Sequence, residues 1–133
     1  MSADVTGTAT ILLAEDDNSV RGIVSRVLTT HGYRVLEASR GDDALALWRA
    51  HHGETGRIDL LVTDVMMPGS TGRELVHELR AIEPSLPVLF TSGYLEDAAT
   101  AGDDARITQY LEKPFATAKL LLAVRQLLAT RGV

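Results

Sequence analysis

The chain has 133 residues, 45% hydrophobic and 23% charged, with a formal net charge of -5 and no cysteine. That length predicts one domain able to bury a core without staples. The missing cysteine excludes disulfides and thiolate metal sites and fits a cytoplasmic protein. The acidic balance, with no Lys/Arg run, argues against direct nucleic-acid binding. No apolar stretch nears the roughly 18 residues of a membrane span. Residues 1–9 are small and polar, without a basic start followed by an apolar run, and read as a disordered N-terminal tail rather than a signal peptide. The domain then occupies residues 10–131.

Thr10 to Ala14 reads as a buried strand that runs into three acids, Glu15, Asp16 and Asp17. Asn18 or Ser19 can cap the helix that follows. Its apolar residues Val20, Ile23, Val24, Val27 and Leu28 form one face, and Gly32 suits a left-handed C-terminal cap. Tyr33–Ala38 is the second predicted strand and Asp42 to about Ala50 the second helix. A polar loop over residues 51–57 leads to a third apolar run, Leu60 to Thr63, which ends in Asp64. Met67-Pro68-Gly69 cannot continue a strand. Thr71 and Glu74 match a capping box opening the third helix. Val88 to Thr91 is the fourth strand, ending in Ser92-Gly93-Tyr94. A fourth helix, short or mobile, is expected near Glu96. Gln109 to Leu111 is a brief fifth strand before Glu112-Lys113-Pro114-Phe115, and Leu120, Leu121, Val124, Leu127 and Leu128 mark the last helix.

Strands alternating with helices predict an α/β protein: a parallel sheet covered on both faces, the doubly wound class. Right-handed crossovers place every strand's carboxyl end on one edge of the sheet. Glu15, Asp16, Asp17, Asp64, Ser92 and Lys113 are therefore expected to meet there, where open α/β sheets keep their chemistry. Carboxylates about 4 Å apart repel by about 4 kcal/mol per pair at an effective dielectric near 20. A divalent cation relieves this, and an all-oxygen donor set favours Mg²⁺ or Mn²⁺ over Zn²⁺. Lysine supplies a point charge for a phosphoryl oxygen, and a carboxylate can be a nucleophile that forms an aspartyl phosphate.

Each element also has a plainer reading. The acids can be solvated caps, Lys113 a surface residue, Asp64 a turn residue and Ser92-Gly93 a tight turn. His51, His52 and Glu54 could suggest a metal site, but solvated histidines at a helix end are the simpler account. Trp48 and the leucine stripes read as core. An aspartyl-phosphate phosphatase of the haloacid dehalogenase type needs a second acid two residues after its nucleophile; Met66 stands there.

The segments ILLAEDD, LLVTDVMMPG, VLFTSGY and LEKPF, in this order and spacing, resemble the response-regulator receiver domain over roughly Thr10 to Thr130. The resemblance implies a flavodoxin-like fold: a doubly wound five-stranded parallel sheet of order 2-1-3-4-5 with five helices. It implies a phospho-acceptor signalling switch of a two-component or phosphorelay system. Such a domain is regulatory and not an enzyme, catalysing only its own phosphorylation and slow dephosphorylation. Asp64 would take a phosphoryl group from a phosphohistidine on a histidine kinase or histidine phosphotransfer protein. Asp16, Asp64 and the Met66 backbone carbonyl would bind Mg²⁺ (Mn²⁺ as a substitute), and Glu15 would act through a metal-bound water. Lys113 would bridge the acids and then the phosphoryl group, Ser92 would hydrogen-bond it, and Tyr110 would change rotamer, altering the face of the fourth helix, fifth strand and fifth helix. A monomer or a phosphorylation-dependent dimer is implied. Glu15 and Ser92 replace the family's commoner aspartate and threonine, and Ala116 replaces a common capping residue, so the last helix is expected to start at Thr117. The wording TSGYLEDA is similar to hybrid histidine kinase receivers. The alternative is a receiver used as a phosphorylation-independent interaction module; such chains usually lose the acid pair or the lysine, and this one keeps both.

Overall fold

A computed structural model describes residues 9–53, 56–93 and 104–132. In chain order the elements are β1 (Thr10–Ala14), α1 (Asn18–Thr30), β2 (Arg34–Ala38), α2 (Gly41–His51), β3 (Leu60–Asp64), α3 (Gly72–Ile82), β4 (Val88–Ser92), β5 (Thr108–Glu112) and α4 (Thr117–Ala129). The five strands form one sheet in the order β2-β1-β3-β4-β5, and every pairing is parallel. The predicted fourth helix near Glu96 and the predicted tail up to residue 8 lie outside the described residues; four helices are seen among those described.

The central strands are continuous apolar runs because both faces of the sheet are covered. Period-two alternation sends Leu12, Leu61, Val88 and Phe90 to one face, where they pack with Trp48 of α2 and Leu75 and Leu79 of α3. Ile11, Leu13, Leu60, Val62 and Leu89 go to the other, against Val24 and Leu28 of α1 and Leu120, Val124 and Leu127 of α4. Complete burial of such a side chain contributes about 1.5–3 kcal/mol, so these two layers fix the strand order. Ala9, assigned from sequence to the tail, is fully buried, and its carbonyl accepts a hydrogen bond from the Arg34 N–H at 3.0 Å.

The helix starts are set by side-chain oxygens. Asp17, not Asn18 or Ser19, caps α1, its Oδ1 accepting from the N–H groups of Ser19 and Val20 at 2.8 and 3.1 Å. Thr71 and Glu74 form the expected reciprocal capping box on α3. As expected, α4 starts at Thr117, with no side chain capping it. Gly32 has φ +93, the left-handed conformation predicted at the end of α1. His52 is structural: its ring stacks on Trp48 with centroids 3.9 Å apart, and its Nδ1 accepts from the Ile58 N–H at 3.0 Å.

Candidate functional site

The register of the sheet assembles the site. Ala14 pairs with Thr63, so Glu15 emerges beside Asp64. Asp64 pairs with Thr91, and Ser92 pairs with Glu112, so Lys113 leaves the sheet next to Ser92. The Lys113 N–H donates to the Ser92 carbonyl at 2.8 Å and carries that ladder one residue further. The Lys113–Pro114 bond is cis.

Lys113 sits between two carboxylates. Its Nζ donates to Glu15 Oε1 at 2.7 Å and to Asp64 Oδ2 at 2.9 Å. Burial pulls the Lys113 ammonium down, but the hydrogen bonds and charges of Glu15 and Asp64 more than offset it, and its pKa lies above the ordinary lysine value. Glu15 is 2% exposed. Burial pushes its carboxyl above the ordinary range, and the charge of Asp64 adds to this against the bonds from Lys113 and the Asp17 N–H. Its second oxygen, Oε2, accepts that Asp17 N–H at 3.0 Å. Among the described residues, Asp64 Oδ1 receives a long contact from the Met66 N–H at 3.3 Å.

The carboxylates of Glu15, Asp16 and Asp64 each offer an oxygen within 4.8 Å of the others. Asp16 is exposed and Asp64 half-buried. An all-oxygen set with one open side has the chemistry of a hard divalent cation site. Asp17 is not one of the three, and its Oδ1 caps α1 instead. The close approach beneath the site depends on Gly72. A Cβ there would collide with the Asp64 carbonyl oxygen, while the Gly72 N–H donates to the Val65 carbonyl at 2.8 Å. This seats the start of α3 against the end of β3.

Ser92 is buried at the end of β4. The Tyr110 ring stacks on Phe90, centroids 5.5 Å apart and 11° between planes, and its hydroxyl is buried with no hydrogen-bond partner among the described residues. Met66 points outward, 68% exposed. Tyr94 lies outside the described residues. Two supports escaped the sequence reading: Gly72, and Arg21, whose Nη1 donates to the Glu15 carbonyl at 2.9 Å. The available signal for Arg21 was a cation near the start of a helix, where the helix dipole disfavours one.

Residues 11–125 match the family model of the response regulator receiver domain. The chain belongs to the response regulator receiver domain family. It is 39% identical over 129 residues to the sensor kinase CckA of Brucella abortus, covering 96% of this chain and 13% of that protein. It is 40% identical over 119 residues to the response regulator MprA of Mycobacterium leprae, covering 89% of this chain and 50% of that one. The chain thus spans half or less of these relatives' own length. Among solved structures it is similar to the receiver domain of the hybrid histidine kinase CckA, with a TM-score of 0.74, 37% identity, and coverage of 90% and 99% of the two chains. The chemotaxis response regulator CheY4 of Vibrio cholerae gives 0.77 at 30% identity, covering 90% and 98%. The receiver fold and the order 2-1-3-4-5 expected from the motifs are therefore those of this chain, and a hybrid-kinase receiver is among its relatives. It is a regulatory receiver domain of two-component and phosphorelay signalling. None of its described helices is long and apolar enough to cross a membrane.

Proposed function

We propose that Asp64 is the phospho-acceptor of this receiver and that its phosphorylation switches the face carried by β5 and α4. The observation that carries the reading is Lys113 Nζ held between Glu15 and Asp64. An ammonium there neutralises the acid cluster at rest and lies where a phosphoryl oxygen on Asp64 would need a charge partner. The freer Oδ1 of Asp64 attacks phosphorus in line as the P–N bond of a partner's phosphohistidine breaks. The electron pair returns to the imidazole nitrogen, which takes up a proton.

Asp16 and Asp64, with the Met66 carbonyl, would hold Mg²⁺, which supplies charge neutralisation for the transferring oxygens. Both oxygens of Glu15 are already engaged, which supports a role through a metal-bound water. The partner is a histidine kinase or histidine phosphotransfer protein. Beside Lys113, whose ammonium touches Asp64, an apolar groove of about 390 Å³ lined by Val20, Ile23, Val24, Pro114 and Phe115 would suit such a partner as a docking face.

The switch would run through Ser92 and Tyr110. A buried hydroxyl without a partner costs about 1–3 kcal/mol. An outward rotamer of Tyr110 would regain that hydration at the expense of the stack on Phe90. Ser92 turning towards phospho-Asp64 would tip the balance, which is a population shift biased by new charge-assisted bonds.

The test is incubation with a small-molecule phosphodonor and Mg²⁺, read by intact mass. The wild type is expected to gain one phosphoryl group and Asp64→Asn none. Full phosphorylation of Asp64→Asn would overturn the assignment, and no gain by the wild type would favour the phosphorylation-independent module.

A further inference from the structure

Arg21 stands outside the residues that meet the phosphoryl group, yet it reaches the backbone of the acid turn. We propose that Arg21 is a positioning residue that holds the turn Glu15–Asp16–Asp17 in its cation-binding shape; this rests on the reading of that turn as the Mg²⁺ site.

The guanidinium is fixed on three sides. Nη1 donates to the Glu15 carbonyl at 2.9 Å, Nη2 donates to Asn18 Oδ1 at 2.7 Å, and Nε lies 3.5 Å from Glu37 Oε1. The other oxygen of Glu37 accepts from Ser25 Oγ at 2.8 Å, so the Arg21 anchor joins the end of β1, the start of α1 and β2. The side chain is only 20% exposed.

Both ends of the turn are consequently tied. The Glu15 N–H donates to the Ala38 carbonyl at 3.0 Å, and the Asp17 carbonyl accepts the Arg21 N–H at 2.9 Å. With the Glu15 carbonyl also held by Arg21, Asp16 is the one residue of the three whose carboxylate takes no hydrogen bond among the described residues, and it sits between two tied neighbours. A planar guanidinium serving several acceptors at once is suited to this, where an ammonium is not.

Charge and positioning predict opposite signs. Arg21 is a cation near a cation site, so through space alone its removal would tighten Mg²⁺ binding. If it positions the turn, its removal weakens binding despite the charge. Loss of a residue that orients metal ligands typically costs about 10- to 100-fold in affinity.

The experiment is calorimetric titration of the whole chain with MgCl₂ at fixed ionic strength, with melting in EDTA measured in parallel. Arg21→Met is expected to weaken Mg²⁺ binding about ten-fold, and Arg21→Lys to recover only part of that. Asn18→Ala, which loosens the guanidinium without changing charge, is expected to weaken binding in the same direction and less. Unchanged or tighter binding in Arg21→Met, with only its melting point lowered, would overturn the proposal, since a merely structural role moves stability and not affinity. If Arg21→Met does not melt cooperatively, Asn18→Ala decides by the same criterion. Absence of Mg²⁺ binding in the wild type would instead overturn the reading of the acidic turn itself, and this proposal with it.

Discussion

Lys113→Met tests the electrostatic design of the site. Among the described residues Lys113 is the cation that touches both Glu15 and Asp64, at 2.7 and 2.9 Å. Each contact has a gross Coulomb energy of about 6 kcal/mol at an effective dielectric near 20, but much of that offsets the cost of removing the charges from water. Removing one partner of a buried pair costs about 3–5 kcal/mol. Two features place this case at the low end. The Lys113 side chain is 22% exposed, and Glu15, whose carboxyl burial already pushes up, can take up a proton once the lysine is gone. We expect a loss of about 3 kcal/mol in EDTA, which for a domain of this size lowers the melting midpoint by about 10 °C. Magnesium then acts where the ammonium did. A ligand that binds only the folded state stabilises it by RT ln(1 + [L]/Kd), and the variant should gain more from millimolar MgCl₂ than the wild type. Circular-dichroism melts of both proteins, in EDTA and in MgCl₂, read all four quantities. A loss below about 1 kcal/mol, the range of an exposed pair, would refute the buried-bridge argument. An equal Mg²⁺ response in the two proteins would refute the idea that lysine and metal neutralise the same charges.

Asp16→Ala is expected to abolish the Mg²⁺-induced rise in melting temperature while leaving the melt in EDTA nearly unchanged, because the Asp16 side chain is exposed; an undiminished rise would place the metal elsewhere. Met66→Asn is expected to speed phosphate loss from phospho-Asp64 by about ten-fold, because an apolar side chain two residues after the nucleophile cannot orient an in-line water and an amide can; an unchanged rate of phosphate release would sink this. The Glu83 carboxyl is pushed up by burial, but the hydrogen bond from Ser85 and the charge of Arg131 more than offset this and hold it below its ordinary 4.5. Its contribution is therefore complete above that value and is lost as pH falls through the lower folded value. Glu83→Gln should lower stability by under about 1 kcal/mol near neutrality and flatten the acid limb of a melting-temperature profile; a parallel limb would place the acid sensitivity in other groups.

The site was legible because buried parallel strands announce themselves as apolar runs that end in polar residues. Topology alone then brings Asp16, Asp64 and Lys113 to one edge. What stayed hidden depends on distances that a pattern does not contain. Asp17, Asn18 and Ser19 are all competent caps, and the choice falls on Asp17 because the chain is extended there, with φ -78 and ψ 116. Gly72 looks like an ordinary helix residue until the Asp64 carbonyl is placed against it. Ala9 is a single small residue between two threonines, and its burial goes with pairing alongside β2.

The three consecutive acids show how one residue type is divided into different tasks by environment. Glu15 is buried and bonded through both oxygens, so its charge is committed to holding Lys113 and the turn. Asp17 caps α1, its Oδ1 accepting from two N–H groups that a helix start leaves without partners. Asp16, exposed like Asp17, is the one whose carboxylate takes no hydrogen bond among the described residues. The glutamate that stands in place of the family's commoner aspartate fits this division. Its longer arm lets Oε1 reach Lys113 while Oε2 receives the Asp17 N–H, a span that costs one more rotatable bond. That bond is frozen by burial, at a side-chain entropy cost of at most about 1.5–2 kcal/mol for a whole glutamate. Two charge-assisted bonds, each contributing about 1.5–3 kcal/mol, outweigh that cost, which is why a glutamate is stable at the start of the acidic turn.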